Sequence, residues 1–233
     1  MRFLINMKKI LFIHIPKTGG LALNSQLIDY FSKEYSARFG DNKSKEKFKD
    51  MSIKELEQYN YITGHFPLNK FRAKGIMYPA LAIIRNPIDR LLSMYNYLNQ
   101  SDHPDHKKLK FEKIDNFIDY IAKNEDYDNI QCRYIGRDRE HSASISVMKN
   151  DVIYVVPLSY FDDMSETLGK LLSTSIQNIQ INKSEKSTKF KEDRLAIESD
   201  LQTYWEEDMK LYEFVQENYF QFKDDFLQKI EAT

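Results

Sequence analysis

Apolar residues follow two periods along this chain. Short unbroken runs occur at 10–15 (ILFIHI), 80–84 (ALAII) and 151–157 (DVIYVVP). Each is too short for a buried helix and rich in β-branched residues, so each predicts a strand buried on both faces, as in a parallel sheet. A shorter segment, Tyr61 to Thr63, fits a further strand. Between the runs the spacing becomes helical. Leu21, Leu23, Leu27 and Ile28 predict a first helix over about 20–35, and Ile88, Leu91, Leu92 and Tyr95 a second. Residues 117–122 form a short amphipathic segment, and Phe161, Met164, Leu168, Leu171 and Leu172 form a long apolar stripe with Ser159 placed to cap it. The stretch 191–222 reads as helical, with Trp205, Leu211, Tyr212, Phe214, Val215 and Tyr219 as packing residues. Ser52 and Glu55 make a capping box before another short helix. The remaining stretches are polar: 36–58 reads as a solvated connection, with the path of an acidic acceptor as the alternative place for its basic residues, 66–79 as an irregular one, 99–116 as a surface loop and 176–190 as an extended polar segment.

Three junctions in this pattern carry chemistry. At the first, Pro16 ends the strand, since it has no N–H to donate, and Gly19 and Gly20 allow a tight turn into the helix. A strand, a glycine turn and a helix N-terminus make an anion site, to which Lys17 adds a cation and Thr18 a hydroxyl. The expected guest is a phosphate. The order differs from a Walker loop, where Lys follows the glycines; a structural βα turn with an incidental lysine is the plain alternative. At the second junction, Asn86 is a good N-cap and Pro87 suits the first helical position. Arg85 ends the strand and Ser93 follows eight residues later, so both can face the C-terminal edge of the sheet, where open α/β sheets bind ligands. An Arg fork matches phosphate oxygens, and a serine hydroxyl can complete the contact. At the third, Gly64 breaks a strand and His65 follows it. Histidine has the unperturbed pKa, about 6.5, that suits a general base.

FIHIPKTGG resembles the 5′-phosphosulfate loop of sulfotransferases that use 3′-phosphoadenosine 5′-phosphosulfate (PAPS), and IIRNPIDRLLSMYNYL resembles their 3′-phosphate motif. The likeness is nearest to the carbohydrate branch, Golgi-type and bacterial, including heparan sulfate 2-O-sulfotransferases. It implies a single-domain, P-loop-like three-layer α/β fold across 1–233, with a central parallel sheet flanked by helices. It also implies PAPS as co-substrate with no metal, and a hydroxyl acceptor, a saccharide. By the same resemblance Lys17, Thr18, Gly19, Gly20, Leu21, Arg85 and Ser93 bind the donor, and Lys17 and His65 are catalytic. Gln131 and Arg133, in DNIQCRYIG, match a segment that lies near the acceptor cleft; a capped helix with Arg133 in a salt bridge is the alternative. His14 is expected inside the first strand in a buried structural role. One departure stands out: Leu21 and Ala22 follow the glycines where the family commonly has Thr or Ser, so backbone amides must hold the phosphosulfate there.

Composition narrows the classes. A chain of 233 residues with 42% hydrophobic residues fits one large α/β domain. The net charge of −1 argues against a dedicated nucleic-acid binder. The single cysteine, Cys132, excludes an internal disulfide and reads as a core thiol. No apolar run approaches the ~20 residues of a membrane span, and MRFLINMKK is too short for a secretory signal; the expected location is the cytoplasm, in a bacterial or free soluble form. His103, His106, Asp102 and Asp105 lack a zinc-site spacing. Lys70, Arg72 and Lys74 read as solvating cations, with contact to an anionic acceptor as the alternative. Two other functions remain open: a P-loop-like nucleotide kinase, which requires a Walker lysine and a magnesium-holding acid, and a non-catalytic nucleotide-binding scaffold.

Overall fold

The computed structural model describes residues 7–99, 111–177 and 188–232. Five parallel strands form one sheet in the order β2-β3-β1-β4-β5. In chain order the elements are β1 (Ile10–Ile13), α1 (Gly20–Phe31), β2 (Ser36–Phe39), α2 (Asn42–Asp50), α3 (Ile53–Leu56), β3 (Tyr61–Gly64), α4 (Leu68–Ala73), β4 (Ala80–Ile84) and α5 (Pro87–Leu98). They continue as α6 (Ile114–Ala122), α7 (Ile130–Ile135), α8 (His141–Asn150), β5 (Ile153–Pro157), α9 (Phe161–Leu172), α10 (Thr188–Asp200), α11 (Glu206–Glu217) and α12 (Tyr219–Glu231).

Strand alternation divides the core into two layers. Leu11, Ile13, Ala82, Ile84 and Val155 face one side, where Phe71 of α4, Ile135 of α7 and Leu211 and Val215 of α11 cover them. Phe12, Leu81, Ile83 and Val156 face the other, against Leu23 and Leu27 of α1 and Met164 and Leu168 of α9. The α/β expectation of a parallel sheet between helical layers therefore matches the architecture. A third cluster joins α5, α6 and α10 beside the sheet through Leu91, Phe117 and Ile197. Among the described residues no helix is long and apolar enough to cross a membrane.

Several local expectations change. The connection at 36–58 contains edge strand β2, whose Ala37 and Phe39 are buried while Arg38 is exposed. One cycle of alternation is too little to register as a pattern. It also contains α2, which buries only Phe48; its legible signal was the Asp41–Ser44 capping box. The Ser52–Glu55 box occurs as expected. The stretch 66–79 holds α4, and Arg72 is structural: its guanidinium takes both oxygens of Asp151 (2.7 and 2.9 Å) and the Ile76 and Tyr78 carbonyls. The first helix stops at Phe31, followed by Ser32 at φ 65°. Ser159 lies in a 3-10 turn and does not cap α9. Cys132 is fully buried. His103, His106, Asp102 and Asp105 lie outside the described residues, as does most of the 176–190 segment.

Candidate active site

The chain leaves β1 toward the β3–β2 side and leaves β4 toward β5, so the connections diverge above the boundary of β1 and β4. Such a switch point opens a crevice at the C-terminal strand edge. A cleft of about 290 Å³ sits there, lined by residues that follow β1, β3 and β4.

The loop after β1 is shaped by two constraints. Lys17 adopts φ 70°, and Thr18 is buried with its hydroxyl donating to the Ile15 carbonyl at 2.9 Å. Thr18 thus closes the turn from within; its side chain neither caps α1 nor faces the cleft, contrary to the expected hydroxyl contact. Gly19 has φ 86°, and a Cβ there would lie 2.7 Å from Leu158 Cδ1. A Cβ on Gly20 would lie 2.7 Å from Phe12 Cζ and 3.1 Å from His14 Cδ2. Both positions need glycine, for conformation at the first and for space at the second. Gly19 is also the N-cap of the twelve-residue α1, with no side-chain cap. The helix therefore offers its first-turn amides and the positive end of its dipole to the cleft. Leu21 follows with its side chain 52% exposed, so this position presents an amide and an apolar side chain without a hydroxyl.

Two cations converge on this loop. Lys17 places Nζ 3.9 Å from the centre of the Tyr97 ring, a cation–π contact from α5. Burial, reinforced by the nearby Arg85 charge, lowers its pKa to about 8. Arg85 follows β4, and its Nη1 donates to the Lys17 carbonyl at 3.4 Å. Burial pulls its pKa below the ordinary arginine value, with Asp89 opposing. Asn86 caps α5 as expected, accepting from the Ile88 and Asp89 amides at 3.1 and 3.3 Å. The helix then carries Ser93 into the lining of the same cleft.

The third junction supplies His65. The β1–β3 register pairs Ile13 with Gly64, which brings the residues after each strand side by side. His65 Nδ1 lies 2.7 Å from the His14 carbonyl oxygen. A carbonyl only accepts, so Nδ1 carries the proton and Nε2 keeps its lone pair. Tyr134 of α7 donates to the His65 carbonyl at 3.3 Å, fixing the residue from the other side. Burial lowers the His65 pKa, with Lys45 and Arg38 adding to it and the His14 bond opposing. The imidazole is therefore neutral at neutral pH.

His14 stands one residue beyond β1 rather than within it. It is buried, stacked on Phe12 (centroids 5.3 Å apart) and 4.6 Å from the His65 ring, yet it lines the cleft. Burial, then His65 and Arg38, hold its pKa at about 3. An unfolded histidine titrates near 6.5, so the unfolded chain takes up a proton between these values that the folded chain refuses. Stability from this source is complete above pH ~6.5 and falls as the pH drops toward 3, by up to about 5 kcal/mol. Thermal melts at pH 7.5 and 5 should show a clear fall for the wild type and a flatter response for His14→Phe. An equal fall in both would separate the acid limb from His14.

Arg38 is a cleft residue that sequence reasoning left within a solvated stretch and did not assign by itself. It projects from edge strand β2, is exposed, and makes no ion pair or hydrogen bond among the described residues. A lone arginine in a lysine-rich polar stretch carries no local signal. Tyr97 was likewise unassigned. The described lining holds three cations, Lys17, Arg38 and Arg85, and no carboxylate. Gln131 and Arg133 have other places. Gln131 is fully buried, with its amide on the Arg85 backbone. Arg133 pairs with Asp126 at 3.3 Å and its carbonyl at 2.8 Å, which is the salt-bridge alternative. Neither lines the cleft.

The sequence model of the sulfotransferase family matches residues 2–215. No curated protein matches the chain. Among solved structures, mouse sulfotransferase SULT7A1 complexed with PAP matches with a TM-score of 0.45 and 17% identity, over 85% of this chain and 66% of the mouse chain. This chain thus spans just under two thirds of that protein. A sulfotransferase from Alicyclobacillus acidocaldarius matches with a TM-score of 0.43 and 15% identity, over 84% of this chain and 94% of its own.

Proposed function

This chain belongs to the sulfotransferase family, and from that premise we propose that it moves a sulfuryl group from PAPS to a hydroxyl of an acceptor, a saccharide. The observation that carries this reading is the convergence of Lys17, the uncapped N-terminus of α1 and Arg85 on one cleft, with a neutral imidazole on its far side. The amides of residues 19–21 and the helix dipole suit the donor's 5′-phosphate. Lys17 suits the bridging oxygen, where negative charge grows as the S–O bond breaks. Arg85 and Ser93 suit the 3′-phosphate, which separates PAPS from other adenine nucleotides. The acceptor oxygen attacks sulfur opposite the bridging oxygen, its proton passes to His65 Nε2, and 3′-phosphoadenosine 5′-phosphate (PAP) departs. The chain's own groups supply both the charge for the leaving phosphate and the base.

The test is transfer of radiolabelled sulfate from PAPS to a panel of saccharides in the presence of a chelator. Label in a saccharide is the expected result. No transfer to any saccharide of the panel, with ATP turnover once magnesium is restored, would replace this reading with a kinase.

Arg38 supports a finer point about the acceptor. Lys17 and Arg85 are accounted for by the donor, and Arg38 stands on the His65 side with no partner among the described residues. It favours an acceptor with an anionic group near the reacting hydroxyl. Arg38→Gln should raise KM for a uronate-containing acceptor about tenfold, the equivalent of ~1.4 kcal/mol, while leaving a neutral acceptor and PAP affinity unchanged. Steady-state kinetics with both acceptors checks this, and equal effects on the two would remove the assignment.

A further inference from the structure

We infer that Gln131 is a positioning residue for Arg85: its buried carboxamide grips the Arg85 peptide on both its N–H and its C=O and so aims the guanidinium. The inference rests on the reading of Arg85 as the 3′-phosphate ligand.

The need for such a grip follows from where the sheet ends. The β4 ladder to β1 is last registered at Ala82, and the ladder to β5 at Ile84, opposite Pro157. Arg85 lies just past both, and among the described residues its backbone has no strand neighbour to define it. Gln131 takes that neighbour's place. Its Oε1 accepts from the Arg85 N–H at 2.8 Å and its Nε2 donates to the Arg85 carbonyl at 2.9 Å. This is the donor–acceptor pair that an adjoining strand would present. Among the described residues the Arg85 side chain makes one long bond of its own, at 3.4 Å to the Lys17 carbonyl. With so little holding the guanidinium directly, the backbone position sets where the side chain starts and which part of the cleft it can reach.

Gln131 is itself buried and anchored through its backbone. Asp208 of α11 is fully buried and accepts from the Gln131 and Cys132 amides at 3.1 and 2.8 Å, capping α7 from outside. Asn129 Oδ1 accepts from the Asp208 amide at 2.8 Å. Arg90, fully buried on α5, lies within electrostatic reach of the Asp208 carboxylate. The C-terminal helices thus set the first turn of α7, α7 sets the carboxamide, and the carboxamide sets Arg85. A site displaced by about 1 Å loses much of its effect, so losing the grip should weaken recognition of one phosphate rather than of the whole nucleotide.

The test is calorimetric titration of the full chain with PAP and with 5′-AMP, without metal, for the wild type, Gln131→Met, Gln131→Glu and Arg85→Gln. Arg85→Gln gives the ratio of affinities expected without the guanidinium. Gln131→Met keeps length and removes both bonds; it should cut the PAP-over-AMP preference at least tenfold and leave AMP affinity within twofold. Gln131→Glu keeps the acceptor and loses the donor, and should fall between. A merely structural role would weaken both ligands together. Preserved wild-type preference in the two Gln131 variants, or parallel loss of PAP and AMP, overturns the inference. If Gln131→Met does not fold, Gln131→Glu decides by the same criterion. A wild type that does not prefer PAP overturns the donor reading itself, and the inference with it.

Discussion

His65→Ala should reduce turnover by about 10²–10⁴-fold, the usual range for removing a general base, with PAP affinity unchanged. The separation follows from geometry. His65 follows β3 and faces the cleft across from Lys17 and Arg85, with its Nδ1 on the His14 carbonyl. Removing the ring deprives the attacking hydroxyl of its proton acceptor and leaves the cationic side intact. The pH profile should carry the same signature. Only the neutral ring accepts a proton, and burial lowers its pKa. Activity should therefore persist below the ordinary histidine value of about 6.5 before falling with further acidification. Single-turnover rates and PAP titrations of the variant check both halves. Wild-type turnover in His65→Ala would remove His65 as the base, and a parallel loss of PAP affinity would make it a structural residue.

Lys17→Ala should damage binding and chemistry together. The ammonium lies at the turn from β1 into α1, where the bridging oxygen and 5′-phosphate are placed by the proposed mechanism. Deleting one donor aimed at developing negative charge typically lowers turnover by about 10²–10³-fold, and loss of a charged contact weakens PAP by about tenfold or more. The lowered pKa, about 8, adds a pH effect with a definite sign. Only protonated Lys17 attracts the anion, so PAP affinity should fall as the pH rises through about 8. Near that pH, binding should take up protons, because the bound phosphate restores the lysine's charge. Calorimetry in two buffers of different ionisation enthalpy measures that uptake. Lys17→Ala should show none, and unchanged PAP affinity in the variant would place the lysine outside the donor site.

The residues legible in sequence were those at strand ends next to strong punctuation. Pro16, Gly19 and Gly20 mark the turn after β1, Asn86–Pro87 marks the start of α5, and Gly64 marks the end of β3. Each fixes a chemical side chain one or two positions away, so Lys17, Arg85 and His65 could be placed before any packing was known. Ser93 followed from helical spacing. Thr18 shows the limit of that logic: the right residue type at the right junction spends its hydroxyl on Ile15. Arg38 could not be told apart from the other basic residues of its stretch because β2 is four residues long with one wet face. Gln131 was drawn toward the cleft by its neighbourhood in sequence, whereas its place depends on Asp208, 77 residues away. Tertiary hydrogen bonds of that kind leave no local trace.

The most direct test of the account is a metal-free calorimetric titration of the wild-type chain with PAP and, in parallel, 5′-AMP. Tight binding of PAP with much weaker binding of AMP is the predicted result, because Arg85 and Ser93 then recognise the 3′-phosphate in a cleft that Lys17 and the α1 N-terminus complete. Equal affinity for the two nucleotides, or no binding of either, would contradict it.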